Sequence, residues 1–175
     1  MFRVRRIGSD EGPLLRALRL TALADAPGDA TTTLARAEAR DLSHWDASAA
    51  ANASGQSQAT FVAEPTEESS SNGGEIAVAT AVGMVGVYAN HDGSANLVGL
   101  WAAPGFRDMG VANALIVAAA QWARAGGGER LRFWVVERNE HARRFYETEG
   151  FHATGNVMPY ELNPRIHQLE MVLAL

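Results

Sequence analysis

Two hydrophobic periods alternate along the chain. Phe2 to Ile7 alternates well enough to predict a short first strand. Leu14, Leu15, Leu18 and Ala22 then share one face of a helix that starts around Ser9–Pro13 and stops at Ala26-Pro27-Gly28. Residues 31–50 predict a second, looser helix carrying His44 and Trp45, with an alanine- and serine-rich tail over 47–59 that reads as frayed helix or mobile loop. Thr60–Ala63 is a short strand. The polar stretch 65–74 (PTEESSSNGG) predicts a disordered insertion, too long for an ordinary hairpin connection. Residues 76–88 predict a strand with Gly83 and Gly86 as bulge or close-approach points, and His91-Asp92-Gly93 a turn. The apolar run Leu97–Ala103 predicts a buried strand, stopped by Pro104-Gly105. Val111, Leu115, Ala119 and Trp122 then recur at helical spacing until Gly126-Gly127-Gly128 ends the helix. A strand follows over Leu131–Val136, with a helix capped by Asn139 and closed by Gly150 after it. Two last strands span Phe151–Val157 and Ile166–Leu173, joined by a segment holding Pro159 and Pro164. The order β-α-α-β-β-β-α-β-α-β-β predicts one α/β or α+β domain over residues 1–175, a sheet with helices on its faces.

Composition narrows the chemistry. At 175 residues and 47% hydrophobic content the chain can bury one sizeable core. The basic start Met1–Arg6 leads into no apolar segment and no run is long enough for a membrane, so a cytoplasmic protein with no membrane partner is expected. A net charge of −5 without a basic block speaks against a nucleic-acid partner. With no cysteine there is no disulfide, no thiolate nucleophile and no cysteine-held metal, and no metal site is expected. All 15 basic residues are arginine, which removes the lysine-dependent phosphate loop and Schiff-base chemistry. Any phosphate site must work through backbone amides and arginine.

Ser94–Gly110 fits such a site, and fits equally a plain glycine-containing turn before a helix with an arginine on the surface. A strand, a tight turn and Arg107-Asp108-Met109-Gly110-Val111-Ala112 at a helix start bring together unpaired N–H groups, a helix dipole, a glycine that admits close approach and an arginine fork.

With Leu100-Trp101-Ala102-Ala103-Pro104 before it and Asn139-Glu140-His141-Ala142-Arg143-Arg144-Phe145-Tyr146, continuing to Gly150-Phe151, after it, the chain resembles the GNAT N-acetyltransferase superfamily. These stretches look like its acyl-CoA strand, its R-x-x-G-x-A pyrophosphate loop and its N-x-x-A-x-x-x-Y-x-x-x-G-F helix. The resemblance implies a mixed, mostly antiparallel sheet flanked by helices and splayed between two central strands, here Leu97–Ala103 and Leu131–Val136. It implies direct acetyl transfer from acetyl-CoA, a co-substrate, to the amine of a small-molecule acceptor through a ternary complex. Leu100, Trp101 and Ala102 would meet the pantetheine arm, residues Arg107, Asp108, Met109, Gly110, Val111 and Ala112 the pyrophosphate. Asn139 and Phe145 would lie beside the cofactor, and Tyr146 by the sulfur. The chemistry makes the same demands: a neutral amine, a donor for the oxyanion and a proton for the leaving thiolate.

Two positions depart from the family pattern. Asp108 stands where a glycine is usual, and the strand Ser94–Ala103 holds no acid where many relatives carry a glutamate base. Glu137, at a strand end, is the candidate base or acceptor ligand, with a solvated loop carboxylate as its plainer role; Glu64, Tyr88 and His91 are remoter candidates. Tyr146 as a packed aromatic, and Trp45, Trp101 and Trp134 as packing residues, are the plainer readings there. Two other functions stay open: a non-catalytic CoA-binding sensor or partner module, and an acetyltransferase acting on a protein amine. Homodimer formation also stays open.

Overall fold

A computed structural model describes residues 1–30, 32–66 and 81–175. The insertion expected over 65–74 and the start of the strand expected over 76–88 lie mostly outside the described residues. The elements run β1 (Phe2–Arg6), α1 (Gly12–Asp25), α2 (Leu34–Glu38), α3 (Leu42–Ser54), β2 (Gln58–Pro65), β3 (Gly83–Ala89), β4 (Ser94–Ala102), α4 (Val111–Ala125), β5 (Arg130–Val136), α5 (Glu140–Thr148), β6 (His152–Tyr160) and β7 (Asn163–Ala174). The single helix expected over 31–50 is two. Thr33 caps α2 by accepting from the Arg36 N–H at 3.2 Å, and Asp41, in extended backbone, precedes α3. The tail expected to fray is ordered α3 as far as Ser54.

One seven-stranded sheet has the order β1-β2-β3-β4-β5-β7-β6. Among the described residues only β4 and β5 pair in parallel; the crossover between them is α4, since parallel neighbours need a long connection. Strand alternation sends side chains to opposite faces. On β2, Val62 joins the layer of Leu18, Leu23 and Trp45 from α1 and α3, while Ala63 joins that of Leu115, Ile116 and Ala119 from α4. Helices thus cover both faces, and burial of each large apolar side chain is worth about 1.5–3 kcal/mol. Strand β6 runs through Pro159 to Tyr160, beyond the expected end at Val157; it is an edge strand, where a missing N–H costs little.

Charged pairs fasten the strands. Arg5 bridges Glu11 and Glu64, and Glu64 also accepts from Arg3 at 3.2 Å, so Glu64 is spent on β1 rather than offered to a substrate. Asp92, in the β3–β4 turn, pairs with Arg132 of β5 at 3.1 Å, and Arg132 reaches Glu170 of β7 at 2.6 Å. Glu170 is buried, which pushes its carboxyl up, but Thr154, Asn156 and Arg132 together hold it below the usual range. Hydrogen bonds from Arg5 hold Glu11 and Glu64 low as well. A carboxyl whose folded pKa is depressed stabilises fully above its unfolded value and loses that contribution as pH falls through the folded value. The melting temperature is therefore expected to be flat from neutrality to about pH 5 and to fall steeply below about pH 4; a melting temperature unchanged down to pH 3 in a thermal scan would rule this out.

Candidate active site

The site begins where two strands stop pairing. β4 and β5 share a register only at Ser94–Asn96 opposite Arg130–Arg132, and beyond that they separate. A bulge re-aims β4 at this point. Met84 pairs with Trp101 and Gly86 with Val98, so Gly99 and Leu100 together oppose Val85. Gly99 takes φ +59°, a conformation glycine adopts without strain. The irregularity expected around Gly86 is present, with the extra residue on the partner strand. Gly83 is a close approach: a side chain there would meet Val111 Cγ1 at 2.7 Å.

Past β4, a short turn at Pro104–Phe106 leads into a loop that explains the odd aspartate. Asp108 has φ +63°, the only positive φ among the described non-glycine residues. The loop demands left-handed backbone, which suits glycine best and which aspartate tolerates better than most. Gly110, φ +80°, then caps α4 with no side-chain hydrogen bond, and the first turn of α4 holds no acidic residue. A Cβ at Gly110 would touch nothing within 4 Å, so the space over it is open. Open space, outward N–H groups and the positive end of a helix suit a phosphate. Arg107 is turned differently from expectation. Its Nε donates to the Ala102 carbonyl at 3.2 Å and its guanidinium pairs with Asp25, which also accepts from Trp101 Nε1 at 2.9 Å. Arg107 thus braces the loop against the end of α1.

The opposite wall is α5. Asn139 caps it by accepting from the Ala142 N–H at 2.9 Å, as expected. The helix presents Phe145 and Tyr146. The Tyr146 ring stacks on Phe133 of β5 at 4.1 Å and meets Phe145 and Phe151 edge-on, each at 5.3 Å. At 3% exposure it is both a packed aromatic and part of the wall. The cleft between loop, β4 and α5 has a volume of about 420 Å³. Its lining takes in Leu100, Trp101, Ala102, Arg107, Asp108, Gly110, Val111, Ala112, Asn139, Phe145 and Tyr146. Met109 is not in that lining and is 53% exposed. Glu137 is also outside the lining; its carboxylate accepts from the His167 N–H at 3.1 Å and lies 3.6 Å from that ring's Nδ1. His141, and Asn113 bonded to Glu149, join the wall without having been anticipated; nothing in their local sequence marks them, since each is a polar residue on a helix surface.

A family model for the acetyltransferase (GNAT) family matches residues 30–151. The chain belongs to the GNAT acetyltransferase family. As a GNAT acetyltransferase it is an acyltransferase, and solved structures bear out the fold. A GNAT-family acetyltransferase from Streptococcus pneumoniae superimposes with a TM-score of 0.75 at 19% identity, covering 100% of this chain and 99% of that one. PaiA N-acetyltransferase from Thermoplasma acidophilum, solved in complex with coenzyme A, gives 0.71 at 14%, covering 100% and 99%. YncA of Salmonella typhimurium, solved with its cofactor acetyl-CoA, gives 0.72 at 14%, covering 100% and 94%. A search of curated proteins finds no match.

On the far side of the β4–β5 parting this GNAT domain has further space. A recess of about 300 Å³ lies between Val98 and Gly99 of β4 and Phe133 and Trp134 of β5. It shares Arg19, Tyr88, Val98 and Glu161 with a cavity of about 500 Å³ under α1, α2 and α3, which Trp45 also lines. Among the described residues no group of three or more histidine, aspartate and glutamate side chains could hold a metal, and no helix is long and apolar enough to cross a membrane.

Proposed function

We propose that the protein is an N-acetyltransferase that passes an acetyl group from acetyl-CoA directly to the amine of a small molecule. One juxtaposition carries the reading: the gap between β4 and β5 opens on one side into the Gly110 cradle and on the other into a lined recess. The cleft residues fit the cofactor's chemistry. Amides at the start of α4 would hold the pyrophosphate. Backbone groups of β4 past Asn96, which have no partner on β5, would bond the pantetheine amides as a neighbouring strand does. Phe145 supplies an apolar wall and Asn139 fixes where that wall begins.

When bound, acetyl-CoA would supply the acyl carbon, a C–N bond to the amine replacing the C–S bond, with one proton lost from the amine to solvent and one taken by the departing sulfur. Tyr146, its ring held by the aromatic stack, would donate that proton to the sulfur and regain one from solvent. A strand N–H of β4 near the bulge is the donor for the oxyanion. No acid stands on β4 and Glu137 is engaged with His167, so the amine reaches its neutral form through water. A small acceptor is favoured by the recesses of about 300 and 500 Å³, in the range of small-molecule pockets.

Thermal unfolding with added ligand tests the reading. CoA at about 100 times its dissociation constant adds about 2.7 kcal/mol, which for a domain of this size raises the melting temperature by about 5–10 °C. Dephosphorylated pantetheine at the same concentration is expected to give far less, because it cannot use the Gly110 cradle. Equal shifts from both, or none from CoA, would defeat the proposal.

A further inference from the structure

The cavity under α1, α2 and α3 is lined by Arg19, Arg36, Arg40 and His44, against one acid, the exposed Glu161. Among the described residues no carboxylate forms an ion pair with any of these arginines, while most other arginines of the chain near the sheet are paired. Arg40 instead places Nη1 2.6 Å from His44 Nε2. Arg19, largely withdrawn from water and facing the Arg40 charge, has its pKa lowered by burial first and by that repulsion second. Like charges brought together without a counter-charge cost stability, and such a cost persists where a ligand removes it. Trp45, 5% exposed and in the same lining, carries an indole N–H with no hydrogen-bond partner among the described residues. Arg19 also lines the recess at the β4–β5 parting and the smaller hollow that reaches Leu100 and Trp101, so it stands between the arginine cavity and the acyl end of the cofactor cleft. Gly99 makes the room: a side chain there would run into the Arg19 guanidinium.

We propose that the acceptor carries an oxyanion, a carboxylate or phosphonate, beside its amine, and that Arg19, Arg36 and Arg40 hold that group. The inference rests on the acetyltransferase reading and narrows its substrate to small zwitterions of the amino-acid kind. Arginine's planar fork matches such oxygens, and Glu161 at the rim is placed to meet the ammonium end before it loses its proton. A polycationic amine would meet the same three like charges and be turned away.

Calorimetric titration of the CoA-bound protein, repeated without CoA, tests this with matched pairs: L-alanine, L-methionine and L-glutamate against their α-amides, and 2-aminoethylphosphonate against 2-methoxyethylamine. At least one oxyanion member is expected to bind about tenfold or more tightly than its neutral partner, the loss typical of one charge-assisted contact. The phosphonate arm tells which oxyanion is preferred. Arg19→Gln should abolish the preference with CoA affinity unchanged. The double variant Arg36→Gln/Arg40→Gln, at exposed positions outside the core, should reduce it without endangering the fold. Equal affinities within every pair, or no binding of any oxyanion member, overturns the inference. CoA release measured alongside separates the two readings: amides acetylated as well as acids sink the oxyanion site and leave acetyl transfer standing, whereas an absence of CoA binding sinks acetyl transfer itself.

Discussion

Tyr146→Phe is expected to lower kcat about 10²-fold, near the low end for general acid catalysis because a thiolate is already a fair leaving group. The affinity for CoA should hardly change. The hydroxyl acts on sulfur only as the C–S bond breaks, so its contribution belongs to the transition state rather than to binding. The three aromatic contacts of the ring survive the substitution, since phenylalanine keeps the stack on Phe133 and the edges to Phe145 and Phe151. Melting should therefore stay close to wild type. Turnover at saturating acetyl-CoA, measured beside the CoA dissociation constant, settles the role. An unchanged kcat would leave Tyr146 as a packing residue alone.

Gly110→Val should act on binding, and strongly. At φ +80° any L side chain is strained by about 1–2 kcal/mol, more when branched at Cβ. The space over Gly110 that a phosphate would use becomes filled by methyl groups. Together these are expected to weaken CoA binding about 10²-fold and to lower the melting temperature by several degrees. Gly105→Ala is the control, for it too has open space around it but no left-handed backbone, and it should leave affinity and melting alone. If Gly110→Val binds CoA as the parent does, the phosphate site lies elsewhere.

The residues that line the cleft beside Gly110 could be named in advance because they stand in a few contiguous stretches. Neither the arginine–glycine spacing nor the asparagine–tyrosine spacing singles them out alone; their order together, as a resemblance to a family pattern, does. Asp108 illustrates the limit. Its identity departs from pattern, yet the reason such a position wants glycine, a left-handed φ, appears only with the backbone. The arginine cavity was not legible. Arg19 lies one helical turn from Arg16 on α1 and nothing nearby distinguishes the two; what sets Arg19 apart is the bulge at Gly99, eighty residues away in sequence. The break between α2 and α3 had its signs, Thr33 and Asp41 as helix starts, hidden by an alanine-rich stretch whose helical propensity runs on through them. Glu137 was chosen for its place at a strand end; the side chain's attachment to β7 depends on a pairing that only topology supplies.

A sheet that parts at its centre owns two interior borders besides its two outer ones. Exposed borders elsewhere invite another chain to join them, but here each is roofed by helices and faces the other across a gap. Past Asn96 β4 shares no rung with β5, so the gap can change width there without breaking a ladder hydrogen bond between these two strands, while Asp92, Arg132 and Glu170 clasp the closed end. The protein can thus admit a long, partly charged molecule into the middle of its most ordered element and unfold nothing to do so.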